Sequence, residues 1–281
     1  MPQEPPPIPS FPQTPRESPR RSGTSMHPLV IVLIAGVIGL VLLMVMGMLA
    51  AIMLPALARG REAARRASCA NNLKQMGLVF KMYANEAPNG FFPQLSPDAG
   101  QLMFSGKEVF PKYLTDSSIL VCPSDSQNRS DSTKGDPLSA INDKSYVYLG
   151  YVISSDDEME AFAKVYKERV AQGLPFDTDL KAPPGRGSMG TDTFYRLREG
   201  VEREFIKDNK DPAAAARIQS EIPVMWDGVG ATQRMTFFNH VPGGSNVLFM
   251  DGHVEFVKYP NKWPLTKRTA EIISELDALG P

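Results

Sequence analysis

Residues 29–54 read LVIVLIAGVIGLVLLMVMGMLAAIML, and residues 55–86 continue as PALARGREAARRASCANNLKQMGLVFKMYANE. The first stretch contains no charged side chain. At about 1.5 Å per residue it forms a helix roughly 39 Å long, which exceeds the ~30 Å hydrocarbon core of a bilayer. The sequence therefore predicts a transmembrane helix over residues 29–54.

The second stretch is rich in Ala, Leu, Arg, Glu and Lys, which favour helix. Its apolar residues recur at steps of four and three, which places them on one helical face. These residues are Cys69, Leu73, Met76, Phe80 and Tyr83. We expect Pro55 to kink the helix near the membrane surface and the helix to end by Pro88. The prediction is one helix of roughly fifty residues, half in lipid and half packed on a domain.

A cleaved secretory signal is the main alternative to an anchor, because Ala56-Leu57-Ala58 has the small-x-small pattern of a cleavage site. Signal cores span about 7–15 apolar residues. Residues 29–54 are much longer, which favours a permanent anchor.

The composition of the chain excludes several classes of protein. It has 281 residues, 30 Lys+Arg against 31 Asp+Glu, two cysteines and three histidines. No basic surplus points to nucleic acid. Two cysteines exclude a disulfide-dense scaffold and a four-cysteine zinc site. Residues 1–28 are proline-rich and predicted to be disordered, either as a stiff spacer or as a polyproline II ligand.

Residues 55–281 predict an α+β domain, in which the long N-terminal helix packs against a small antiparallel sheet carrying a helical insertion at about 154–220. A capping box at Ser155 begins a helix that Gly173 closes. A loop over 174–193 precedes predicted helices at 194–208 and 211–219. Strands are predicted at 119–122, 146–152, 222–226, 246–250 and 253–257. Asp251-Gly252 joins the last two strands, which suits a type I′ hairpin turn.

The two cysteines, Cys69 and Cys122, leave two alternatives open. A disulfide would close a long loop and contribute roughly 3–4 kcal/mol in an oxidising compartment. Two buried free thiols are the other outcome.

The C-terminal part offers one candidate cluster for chemistry. Asp227, His240, Asp251 and His253 are residue types that bind zinc or manganese. Asp251, however, is what the turn requires, and a buried histidine commonly hydrogen-bonds nearby groups. A Ser245/His240/Asp227 hydrolase lacks a nucleophile elbow. We therefore predict no catalytic residue, no metal and no cofactor.

Two motifs carry a family resemblance. LPALARGREAARRASCANNLKQMGLVFKMYANE (54–86) resembles the post-membrane helix of type IV pilin-like proteins and type II secretion pseudopilins, and more narrowly that of the planctomycete pilin-like proteins. NHVPGGSNVLFMDGHVEFV (239–257) resembles their C-terminal His-x9-Asp-Gly signature. The matching residues are His240, Asp251 and Gly252, although ten residues separate this histidine from the aspartate.

The resemblance implies a non-enzymatic, membrane-anchored structural component of a secretion or cell-envelope assembly. Pilin precursors carry Gly-Phe-Thr-Leu-Ile-Glu at the processing site, whereas Ser-Met-His-Pro precedes the helix here. We therefore expect an unprocessed anchor rather than a mature pilin. The alternatives are a membrane-tethered module that binds envelope polymers and, less favoured, a metal-dependent enzyme.

The expected location is the inner (cytoplasmic) membrane, with a single pass and an extracytoplasmic C-terminal domain. Basic residues flank both ends of the apolar stretch, so the positive-inside rule alone would place the domain in the cytoplasm. Long domains are nevertheless translocated largely regardless of charge. The expected partners are membrane lipid and other pilin-like subunits or secretion machinery, with no nucleic acid.

Overall fold

A computed structural model describes residues 27–125, 138, 141–206, 211–231, 236–238, 240 and 243–280. The predicted disordered tail is residues 1–28; residues 1–26 lie outside the described residues, and Pro28 is already the first residue of a helix. The chain divides into two compact units, Met1–Ala56 and Leu57–Pro281. The fold class is α+β, as the sequence predicts.

Helix α1 spans Pro28–Glu86 and contains Pro55 in its interior. Its part within the first unit is apolar and exposed, with Leu29 71 % and Leu43 69 % accessible. None of the 18 consecutive residues that form the most apolar part of this helix is buried. In the described part of the chain, α1 is the one helix long and apolar enough to cross a membrane.

The part of α1 within the second unit has one buried face. Cys69, Leu73, Met76 and Phe80 are all fully inaccessible. Tyr83 is half-buried, because its hydroxyl turns outward to donate to Glu108 Oε2 at 3.0 Å. The helix ends before a 3₁₀ turn at Pro88–Gly90.

The main sheet is antiparallel with the order β1-β4-β7-β8. Its strands are β1 (Tyr146–Tyr148), β4 (Pro223–Asp227), β7 (Gly244–Phe249) and β8 (Val254–Lys258). Two small antiparallel pairs accompany it, β2 (Leu180–Lys181) with β3 (Thr193–Phe194), and β5 (Val229–Ala231) with β6 (Thr236–Phe238).

Four further helices belong to the second unit as described: α2 (Gly106–Val109), α3 (Asp156–Ala171), α4 (Pro212–Glu221) and α5 (Lys267–Asp277). The side chain of Ser155 caps α3 and that of Asp211 caps α4, as their sequences predict. Helix α5 was not predicted. It buries Ala270, Ile273 and Leu276 on one face.

Two predicted elements are wrong. Residues 117–120 form a 3₁₀ helix instead of a strand, because the Asp116 side chain accepts from the backbone N–H of Ser118. The predicted helix at 194–208 is interrupted over its described residues. Tyr151 pairs with Arg196 and Phe91 pairs with Arg198 as isolated bridges, which hold residues 196–198 extended, and the residues after them form a 3₁₀ helix at Val201–Glu204.

The C-terminal hairpin exists, but its turn differs from the type I′ prediction. Leu248 pairs with Val254, and the N–H of Gly252 donates to the carbonyl of Phe249 at 2.9 Å. Gly252 has φ +89°, whereas Asp251 is not among the residues of positive φ. A type I′ turn needs positive φ at both central residues, so this turn is of another type. It is a three-residue loop whose last residue, Gly252, forms a glycine bulge.

The centre of the core is an aromatic group around Phe80 of α1. Its ring centroid lies 5.8 Å from Phe92, 5.4 Å from Phe104 and 5.2 Å from Tyr148. The Tyr148 hydroxyl donates to the carbonyl of Pro93 at 2.6 Å, so its burial leaves that group hydrogen-bonded. Helix α1 therefore supplies the middle of the domain core.

Candidate functional site

Four buried side chains from distant parts of the chain meet beside α1: Cys69, Cys122, Asp227 and His240. One sulfur, nitrogen or oxygen atom from each lies within 4.8 Å of the others. Each residue is at most 1 % exposed. We call these four residues the polar cluster, and all of it lies within the unit Leu57–Pro281.

The fold brings the four residues together from separate elements. Cys69 lies on the buried face of α1, and Cys122 follows the 3₁₀ helix at Ser117–Leu120. Asp227 is the last residue of β4, opposite Tyr146 of β1. His240 precedes β7, the strand that pairs with β4.

His240 contacts acidic groups on both sides of its ring. Nε2 lies 3.1 Å from Oδ2 of Asp227 and 3.7 Å from Sγ of Cys122. Nδ1 lies 3.0 Å from Oε1 of Glu62 and 3.2 Å from Oγ of Ser124. The ring therefore directs one nitrogen into the polar cluster and the other toward α1.

Asp227 is fixed through one carboxylate oxygen. Oδ2 accepts from the backbone N–H of Asn246 at 2.7 Å and from its Nδ2 at 2.8 Å. Oδ1 is buried and has no hydrogen-bond partner among the described residues. Asn246 Nδ2 also donates to the carbonyl of Arg66 at 3.3 Å, which joins β7 to α1.

The environment shifts the protonation of the cluster. Burial lowers the pKa of His240, but hydrogen bonds with Asp227 and Cys122 outweigh burial and raise the pKa to about 10. The hydrogen bond with Cys69 and then burial raise the pKa of the Cys122 thiol. In the absence of a bound cation, the cluster therefore holds a charged imidazole and a neutral Cys122 thiol at neutral pH.

The cysteines are adjacent but not bonded. Both are buried and free. The disulfide alternative therefore has no support from the structure, while the two sulfurs still lie within 4.8 Å of each other. Two thiols, an imidazole and a carboxylate form a donor set that suits a thiophilic metal.

Asp251 and Gly252, the other residues of the predicted C-terminal signature, lie in the hairpin turn. Asp251 Oδ1 lies 2.6 Å from Nδ1 of His253 and accepts from its backbone N–H at 3.0 Å. The His253 ring stacks on Phe249 with centroids 4.5 Å apart. The four residues weighed in the sequence as metal ligands thus form two pairs, Asp227 with His240 and Asp251 with His253.

The hydrolase arrangement does not form. The Ser245 hydroxyl is buried and has no hydrogen-bond partner among the described residues. His240 directs its ring nitrogens to other groups, so nothing activates this hydroxyl as a nucleophile.

Sequence reasoning found each member of the polar cluster but not their association. From the sequence, Cys69 and Cys122 form either a disulfide or two free thiols, and Asp227 and His240 are grouped with Ser245 or with the hairpin residues Asp251 and His253. The signal that could have brought them together is positional. Asp227 directly follows one predicted strand, His240 precedes the strand predicted next along the chain, and Cys69 lies on the helix face that packs on the sheet.

The comparisons give one match. The family described as "Protein of unknown function (DUF1559)" matches residues 58–100. It is a family of planctomycete pilin-like proteins. The matched segment covers the second part of α1 and the chain as far as Gly100. Searches of the curated proteins and of the solved structures found no significant match.

Proposed function

We propose that this chain is a non-enzymatic, membrane-anchored pilin-like component of a secretion or cell-envelope assembly. The observation that carries the proposal is the exposed apolar part of α1. Its 18-residue window of highest hydropathy has no buried residue. The described residues leave this surface uncovered, and a lipid bilayer would cover it.

The second part of the same helix supplies the domain core, which supports the pilin-like assignment. Residues 58–100 match the pilin-like family. Ala56–Ala58, the candidate signal-cleavage site, lies inside α1. Removal of residues 1–58 would leave Cys69, Leu73 and Phe80 in place but would detach the protein from the membrane.

The anchor is tested with the full chain expressed in a bacterial host. We expect it to stay in the membrane pellet after an alkaline carbonate wash, and intact-mass measurement to find the proline-rich tail still attached. A freely soluble chain, or one beginning near residue 59, would overturn the proposal.

Two double variants, one with arginines and one with alanines at the same positions, make this test sharper. Arginine costs about 2.5–3.5 kcal/mol at the centre of a membrane helix, so Leu42→Arg with Val45→Arg costs about 5–7 kcal/mol of insertion free energy. We expect this double variant to leave the membrane fraction. The matched variant, Leu42→Ala with Val45→Ala, should remain there.

The proposed location is the inner membrane with the domain outside the cytoplasm. An alkaline phosphatase fused at the C-terminus should be active, and a cytoplasmic domain would leave it inactive. Crosslinking in intact membranes should then trap pilin-like subunits or secretion components. Capture of envelope glycans without such subunits would favour a polymer-binding module instead.

A further inference from the structure

We propose that the polar cluster is a structural zinc site, in which Cys69, Cys122, Asp227 and His240 bind one Zn²⁺. The inference concerns the folded domain and does not depend on the proposed role in an assembly.

The donor set favours zinc. Cysteine sulfur, histidine nitrogen and carboxylate oxygen are the three ligand types of protein zinc sites, and structural sites contain four protein ligands. Hard cations such as Ca²⁺ and Mg²⁺ prefer sets made entirely of oxygen. Two sulfurs in a set of four therefore select a thiophilic metal.

The distances fit a tetrahedral ion. Bonds of about 2.3 Å to sulfur and about 2.0–2.2 Å to nitrogen and oxygen place neighbouring ligand atoms about 3.4–3.8 Å apart. Nε2 of His240 lies 3.7 Å from Sγ of Cys122 and 3.1 Å from Oδ2 of Asp227. The four ligand atoms all lie within 4.8 Å of one another, so shifts of about 1 Å or less bring them to bonding positions.

The surroundings of His240 match those of a metal-bound histidine. A ligating imidazole usually donates its other ring N–H to a carboxylate, which fixes its orientation. Here Nε2 points into the cluster, while Nδ1 lies 3.0 Å from Oε1 of Glu62. This arrangement directs Nε2 at two of the other ligand atoms, so an ion between them would replace the proton on Nε2 and be bound by a neutral imidazole.

Asp227 provides an independent indication. Its Oδ1 is fully buried and lacks a hydrogen-bond partner among the described residues, whereas Oδ2 accepts twice from Asn246. A buried carboxylate oxygen without a partner is costly, and a cation bound by the same carboxylate offsets that cost.

The site is closed, which makes its role structural. All four residues are at most 1 % exposed. A catalytic zinc keeps an open position for water or substrate, whereas four buried protein ligands leave none. The ion would join α1 to the C-terminal sheet, and its binding free energy would contribute to folding.

The experiment measures zinc in the full chain, purified in detergent under reducing conditions without chelator. Mass spectrometry of metals should find about one zinc per chain, as expected of a single structural site. Cys122→Ser and His240→Gln should each reduce this to less than about a tenth, since each removes one of four ligands. His253→Gln changes an exposed histidine outside the cluster and should retain the ion.

A measurement on the unmodified chain covers the case in which the ligand variants do not fold. After exchange of zinc for Co²⁺, a tetrahedral site with two thiolates should show thiolate-to-cobalt charge-transfer absorption and intense visible d–d bands. Absence of both spectra and of bound zinc after equilibration with Zn²⁺ would overturn the proposal. A metal-free chain whose non-reduced mass is lower by two hydrogens would also overturn it, in favour of a Cys69–Cys122 disulfide.

The Glu62 contact gives a graded test. Loss of an outer hydrogen-bond partner of a metal ligand lowers metal affinity by about 10–100-fold. Glu62→Gln should therefore weaken zinc binding by that factor in competition with a chromophoric chelator, with the domain still folded. An unchanged affinity would show that Nδ1 is not oriented by this carboxylate. Membrane retention should not change in any of these variants, which separates this test from that of the anchor.

Discussion

Substitution of Phe80 by alanine tests whether α1 is an integral part of the domain core. Phe80 is fully buried, and its ring contacts Phe92, Phe104 and Tyr148. Truncation of a buried phenylalanine costs about 3–5 kcal/mol, and each aromatic pair contributes about 0.5–1.5 kcal/mol beyond area burial. Three such pairs place Phe80→Ala in the upper part of the range, at about 4–5 kcal/mol of unfolding free energy.

The assay is urea unfolding of the full chain in detergent, followed by tryptophan fluorescence. Trp226 is 1 % exposed and lies 6.4 Å from Trp263, so unfolding changes the environment of both rings. With a slope of about 2 kcal/mol/M, the expected loss lowers the midpoint by about 2 M.

The matched control lies on the same helix. Leu78 is 64 % exposed, and Leu78→Ala should change the unfolding free energy by at most about 0.5 kcal/mol. Equal midpoints for Phe80→Ala and Leu78→Ala would show that α1 does not support the domain core, and would refute the fold argument.

Three further predictions use the same unfolding assay. Gly252 and Gly60 both have open space for a Cβ, but Gly252 has φ +89°, which an alanine rarely adopts. Gly252→Ala should therefore lower the unfolding free energy by about 1–2 kcal/mol, whereas Gly60→Ala should raise it by up to about 1 kcal/mol. Reversed signs would contradict the backbone argument. Ser155→Ala should cost about 1 kcal/mol because it removes the cap of α3, and no loss would show that the cap is dispensable. Burial raises the pKa of Glu158 above its usual 4.5. Its contribution to the unfolding free energy is therefore greatest below pH 4.5 and is lost as the pH rises through the folded-state pKa. Glu158→Gln should lack this pH dependence, and parallel plots of unfolding free energy against pH for the two proteins would contradict the prediction.

Sequence reasoning worked where the signal was local. The burial of Leu73, Met76 and Phe80 follows the apolar spacing in the sequence. The caps at Ser155 and Asp211 fix the starts of α3 and α4 through hydrogen bonds between near neighbours. The C-terminal hairpin follows from alternating residues around a turn.

It failed where distant contacts override local preference. Residues 194–206 have helix-compatible composition, but Arg196 donates to the backbone carbonyls of Phe92 and Asp177 and holds residues 194–198 extended, and a 3₁₀ helix forms at Val201–Glu204 instead of an α-helix. The polar cluster depends in the same way on the full topology, because its residues are adjacent only after β4, β7 and α1 have packed. Helix α5 does not depend on distant contacts in this way, because its apolar residues Ala270, Ile273 and Leu276 already follow helical spacing in the sequence.

The hydrogen bond between Asn246 and Arg66 joins residues 180 positions apart. The ribosome adds about 5–20 residues per second, so roughly 10–35 s separate synthesis of the two partners. During this interval the buried face of α1 has been made, but the strand that covers it has not. The apolar face of the nascent helix is therefore exposed to intermolecular association until the last hairpin is complete.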